Sequence, residues 1–208
     1  MVRFRQKKNK EHLIIGIVGT SAGLGVTHLC ITLANYTASK QRKKTACLEL
    51  ADTKTFEQLG LCHLVHNKKW KDAANRYFTI HDVDYYPKVQ KEELPLLINS
   101  GYEILILDFG TLNDTCLDEL FRCDRKFLLC SNAPWRKSEL SSCLSAFQMI
   151  HKMEFLLYLI NYGSKLDLAQ LALDCLVPYE QLRAVPFLQN PFHIEKECFS
   201  FFEKLLLL

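Results

Sequence analysis

The 208-residue sequence has no CxxC pair, no Pro- or Gly-rich linker, no internal repeat and no long apolar run. Each absence removes a class of protein. The longest uninterrupted apolar stretch, Phe155 to Ile160, is far short of the roughly 20 residues a bilayer span needs. Nine cysteines are an odd number, and no secretory apolar core precedes them, so a disulfide framework is not expected. Cys30, Cys47, Cys130 and Cys143 lie inside apolar runs and read as small buried residues of a reducing cytoplasm. Cys116, Cys123 and Cys130 recur across a helix, a turn and a strand, which is not zinc-ligand spacing. A net charge of +3 gives no strong nucleic-acid signal. Its excess sits in Arg3, Arg5, Lys7, Lys8 and Lys10, so residues 1–11 read as a solvated basic arm that could touch phosphate or an anionic membrane surface. Residues 12–208, half apolar and a quarter charged, suffice for one α/β core.

One further scarcity bears on function: no lysine lies between Gly16 and Tyr36. That stretch opens as a buried strand, Ile14 to Val18. It passes through Gly19-Thr20-Ser21-Ala22-Gly23-Leu24-Gly25, then enters an amphipathic helix from Val26-Thr27-His28 to about Lys40. Strand, glycine-bearing loop and helix N-terminus form the geometry of a phosphate-binding loop, in which backbone N–H groups and the helix dipole meet an anion. The same turn also serves simple tight packing.

The strand Thr45 to Leu50 follows, completing a βαβ unit and implying a parallel sheet. The pattern from Phe56 to Ala74 is mixed, with one or two short helices. Arg76 to Tyr86 reads as extended, and Lys91 to Asn99 as a short helix despite Pro95. Tyr102 to Gly110 is a strand covered on both faces that stops at Asp108. Leu117–Phe121 is a short helix, Lys126–Cys130 a strand, 137–152 a longer helix and 154–160 a strand ending at Asn161. A helix near 166–175, a strand near 182–185 and a last helix from about Ile194 to Leu207 complete the pattern. The expected fold is a single doubly wound, mostly parallel sheet with helices on both faces.

Ligands of such sheets bind beyond the carboxyl ends of the strands. Thr27 stands where a hydroxyl reaches a magnesium ion, and Asp108 where a carboxylate holds that ion through water. Asp108 can equally be a cap or turn former. Glu49 ends the neighbouring strand, either at the site or as an edge acid near Lys43 and Lys44.

In this order the motifs resemble the ParA/MinD superfamily of P-loop ATPases. Gly19 to His28 is similar to its deviant Walker A loop, K-G-G-x-G-K-T-T. Leu48 to Ala51 resembles the strand bearing its D-x-D, and Ile104 to Gly110 its Walker B strand. Asn161 sits where the family often has a base-contacting Asn, and Val185-Pro186 resembles its late strand. The resemblance implies ATP or ADP with Mg bound through residues 19–28, Asn161, Thr27 and Asp108, or a vestigial site that binds nothing.

Ser21 stands in place of the signature lysine, Val26 of the Walker lysine, Glu49 of the first switch aspartate. Ala51 replaces the catalytic aspartate unless Asp52 substitutes. Charge-assisted contacts to a transferring phosphate are worth several kcal/mol, so very slow or absent hydrolysis is expected. The alternative is an active ATP-dependent switch that recruits a basic residue from elsewhere, such as Lys54 or a partner's arginine. Among subfamilies, a missing Walker lysine resembles the TadZ/CpaE group that positions pilus-assembly machinery. No receiver-like domain, common in that group, precedes the loop strand here. Protein partners of a pilus or secretion assembly and a homodimer are then expected. The tail from Phe199 to Leu208 reads as a core-packing helix, or, if exposed, as a weak contact with the inner face of the membrane.

Overall fold

The computed structural model describes residues 12–66, 76–113, 116–149 and 156–207. Strand β1 (Leu13–Gly19) leads through the glycine loop into helix α1 (Val26–Ser39). Then come β2 (Thr45–Glu49), α2 (Thr55–His66), β3 (Phe78–Ile80), β4 (Val83–Tyr86), α3 (Leu94–Ile98) and β5 (Ile104–Thr111). The second half runs α4 (Leu117–Arg122), β6 (Arg125–Ser131), α5 (Lys137–Met149), β7 (Leu156–Asn161), α6 (Lys165–Cys175), β8 (Leu182–Val185) and α7 (Phe199–Leu207).

The strands form one eight-stranded sheet in the order β3-β4-β2-β5-β1-β6-β7-β8. Each neighbouring pair is parallel except β3 with β4. Strand β1 lies between β5 and β6; its connection runs toward β2 on one side while that of β6 runs toward β7 on the other, so the loop after β1 opens at the switch point.

Alternation along the central strands divides the core in two. Ile14, Val18, Leu105 and Leu107 face Leu120 of α4, Leu140 of α5 and Leu168 of α6. Ile15, Ile17, Ile104 and Ile106 face Leu29 and Leu33 of α1, Phe56 of α2 and Phe202 of α7. Each fully buried side chain of this size contributes roughly 1.5–3 kcal/mol. Packing between the sheet and α7 in the second layer makes α1 a nearly all-buried helix, which holds the loop at its N-terminus.

Three details differ from the sequence reading. The extended stretch from Arg76 to Tyr86 is a two-stranded hairpin, turning at His81 and Asp82, both at positive φ (49° and 63°). A two-residue turn with that geometry usually carries Asn-Gly, so the His-Asp pair hid it. The last helix begins at Phe199, after a short 3-10 turn at Lys196–Cys198, rather than at Ile194. Pro95 sits in the first turn of α3, where its missing N–H costs nothing. The other expected elements lie within a few residues of their places, and the part of the 56–74 stretch beyond His66 is outside the described residues.

Helix α7 spends its apolar face on α1: Phe202 stacks on Tyr36 at 5.1 Å between centroids, and Phe202 and Leu205 are fully buried. That packing matches the core reading of the tail. Among the described residues, no helix is long and apolar enough to cross a membrane.

Candidate nucleotide site

The loop is anchored at both ends by the sheet. Thr20 N–H donates to Leu129 O of β6 (3.0 Å), and Leu112 N–H donates to Gly19 O (2.9 Å). Gly25 caps α1 with φ +90°, a left-handed conformation that favours glycine. With no side-chain cap on α1, the first-turn N–H groups face the loop, as an anion site requires. The Val26 side chain belongs to the apolar core beside Leu24 and Leu29. The side chain at position 26 therefore points into the protein.

Behind the loop lie two carboxylates. Glu49 and Asp108 are register partners across the β2–β5 ladder, both fully buried and on the α1 side of the sheet. Asp108 Oδ1 accepts from Gly110 N–H (2.9 Å), and the Thr27 side chain lies near enough to this carboxylate to favour its charged form. Burial pushes its pKa up to about 6, Thr27 and Gly110 hold it back, and the Glu49 charge adds to the rise. Glu49 Oε1 accepts from the Thr53 hydroxyl (2.6 Å), Thr55 N–H (2.8 Å) and Phe56 N–H (3.3 Å), capping α2. Glu49 is therefore an interior acid beside Asp108, not an edge acid: Lys43 pairs instead with Glu103 at 2.6 Å.

Asp108 Oδ2 and Glu49 Oε2 are buried without a hydrogen-bond partner. An unpaired buried carboxylate oxygen is costly. Two such oxygens beside a Thr hydroxyl fit a hard divalent cation, so the residues present suit magnesium.

The switch segment lies flat on β5. Leu50 N–H and Ala51 N–H both donate to Asp108 O, and a Cβ built on Gly110 would stand 2.7 Å from Ala51 Cβ. Ala51 is half-buried against this backbone, while Asp52 is exposed in the following turn. Lys54, another basic residue of that turn, has positive φ and is exposed.

The other side of the loop is more open. Asn161 Nδ2 donates to Leu24 O (2.7 Å), so the Asn expected at a base is tied to the loop itself. Ser21 donates to Glu139 Oε2 (2.8 Å) and accepts from an Arg136 guanidinium nitrogen (2.9 Å), which also reaches Ala22 O (3.4 Å). A cavity of about 270 Å³ lies between Gly25, His28, Asn161, Pro186 and Phe187. His28 contributes a buried Nε2 without a partner. A second cavity, about 510 Å³, adjoins Gly23, Asn132, Trp135 and Arg136. The structure thus brings together the loop, Thr27, His28, Asp108 and Asn161, and leaves Asp52 outside.

Arg136 and Glu139 escaped the sequence reading. Arg136 comes from the β6–α5 connection and Glu139 from the first turn of α5, more than a hundred residues from the loop, in a stretch without motif character. Only the β1–β6 register, Gly19 beside Leu129, places them.

No family model and no curated protein matches the sequence. Solved structures match its shape. A plasmid partition protein of Borrelia burgdorferi bound to AMPPNP gives a TM-score of 0.64 at 13% identity, covering 95% of this chain and 98% of its own. A ParA family ATPase of Chlorobium tepidum gives 0.64 at 12% identity, over 94% and 89%. The MinC:MinD cell division complex of Aquifex aeolicus supplies a chain at 0.60 and 11% identity, over 93% and 86%. At such identities the likeness establishes the fold: a mixed, mostly parallel α/β sheet of the ParA/MinD P-loop type.

Proposed function

We propose that this protein is a nucleotide-binding localisation or partition scaffold that hydrolyses its nucleotide very slowly or not at all. The observation that supports it is the contrast at the loop: the anion cradle and buried carboxylates persist, while Val26 is packed in the core and Ser21 is engaged with Glu139. The amides of residues 20–27 and the N-terminus of α1 would hold the phosphates of ATP or ADP, and the cavity at Asn161, Pro186 and Phe187 the base. Thr27, Asp108 and Glu49 would hold magnesium, which supplies charge neutralisation at the phosphates when bound. No side chain described here replaces the catalytic acid at Ala51.

Relatives in fold bear on the partner class. MinD is complexed with MinC in one of them, and plasmid partition is named for another. By that analogy this chain positions a protein assembly, a pilus or secretion machine among the candidates, at the cytoplasmic side of a membrane and as a homodimer.

Steady-state ATPase measurement with magnesium is the direct test. The expected result is no turnover above the uncatalysed background; turnover abolished by Asp108→Ala would sink the scaffold reading. One observation favours the second reading, an active switch with a recruited cation: the Arg136 guanidinium on Ser21. In calorimetry an active switch distinguishes ATP from ADP, whereas the scaffold binds both weakly.

A further inference from the structure

The loop carries no lysine, yet a cation already touches it. Among the described residues, Arg136 is the cation hydrogen-bonded to residues 19–28, through Ser21 Oγ and Ala22 O. It stands on the opposite side of the loop from Thr27 and Asp108, because β6 and β5 flank β1. A polyphosphate seated on the loop amides would lie between the carboxylate-held cation site and this guanidinium. Resting on the nucleotide-binding reading above, we infer that Arg136 is the phosphate-binding cation of this site, supplied from the β6–α5 connection in place of the loop lysines, with Glu139 as its resting counter-ion.

Three features carry the inference beyond proximity. The guanidinium is a planar fork of donors suited to phosphate oxygens, and its present acceptors are only a hydroxyl and a carbonyl. Its contact with Glu139 is long, 3.9 Å from Nε to Oε1, with both side chains about a third exposed. Pairs of that kind hold weakly, so an anion of higher charge displaces the carboxylate. The site is also built for a ligand on its far side, where Asp108 Oδ2 and Glu49 Oε2 are buried without partners. Ser21 has a definite part. Its hydroxyl bridges Glu139 and Arg136, holding the arginine beside the loop rather than in solvent. A lysine at position 21 would repel Arg136, so a loop cation and this connection cation would compete for one place.

Calorimetry of the full chain with Mg-ATP, Mg-ADP and AMP, at low and high salt, tests this. Arg136→Gln should weaken Mg-ATP by roughly tenfold or more and AMP far less, because the lost contact is to the outer phosphates. Arg136→Lys should recover part of the loss, and Glu139→Gln should tighten Mg-ATP by a few-fold, an effect that shrinks at high salt. Wild-type-like Mg-ATP affinity in Arg136→Gln overturns the assignment while leaving nucleotide binding intact. A wild-type chain that binds neither nucleotide overturns both. Should Arg136→Gln fold poorly in thermal melts, Glu139→Gln decides alone: unchanged or weaker Mg-ATP binding overturns the assignment.

Discussion

The two sides of the glycine loop are built on opposite principles. Toward β2 and β5 the two carboxylates are buried and fixed through one oxygen each: Glu49 Oε1 accepts three hydrogen bonds, Asp108 Oδ1 accepts from Gly110, and the Leu50–Ala51 backbone is pinned to β5. Toward β6 and β7, the side-chain contacts are few and half-exposed, with Trp135 and Tyr162 more than four-fifths exposed around the cavities. A buried carboxylate left alone is expensive, so the first side keeps its geometry whatever the loop does. The second side can change partners at little cost. Position and shape are stored on one side, and response to a ligand on the other.

If that division is right, the largest effect belongs to Glu49→Ala. It leaves Thr53, Thr55 and Phe56 donors unmet at the start of α2 and should lower stability by about 2–4 kcal/mol. A guanidinium-chloride midpoint equal to that of wild type, at equal slope, would show that Glu49 anchors nothing.

Asp108→Asn should act in the other direction. The folded-state pKa of Asp108, about 6, lies above the ordinary 3.8, so folding takes up a proton between roughly pH 4 and 6. Stability therefore falls as pH rises through that window and stays lower above it. Removing the charge should raise stability at pH 8 by about 1–3 kcal/mol, and the gain should vanish near pH 4. Magnesium should stabilise wild type above pH 6 and leave Asp108→Asn nearly unmoved. Thermal melts across pH, with and without the ion, check both halves; a gain independent of pH would mean that burial of the charge is not the cause.

The same division governs what could be read from the sequence. The sheet, the loop and the ends of β2 and β5 were legible because continuous aliphatic runs such as Ile104–Leu107 and the Gly23–Gly25 spacing are local signals. Asp108 and Thr27 could be placed together because family order supplied the register. Glu49 stayed ambiguous, since a lone acid after an apolar strand carries no mark of its burial. The turn at His81-Asp82 was missed because its backbone geometry is imposed by the β3–β4 pairing rather than by turn-favouring residues. Arg136 and Glu139 were invisible because their relation to Ser21 exists only across the β1–β6 neighbourhood. Side-chain groups that meet through non-local strand order leave no periodicity to detect.

The smallest effect is expected at Asn161, and it sharpens the contrast most. Its amide makes one contact with the loop, to Leu24 O, at the rim of two cavities rather than in the core. Asn161→Ala removes a single half-exposed hydrogen bond and should cost about 1 kcal/mol in stability. If the β7 side is the responsive one, that modest loss should come with a several-fold weaker grip on Mg-ATP, because the loop must then be ordered by the ligand itself. Glu49→Ala should show the reverse proportion, a large stability loss with a smaller change in affinity per kcal/mol. Equal proportions at the two positions, measured by denaturation and calorimetry on the same samples, would erase the distinction between a side that holds the loop and a side that answers to what binds it.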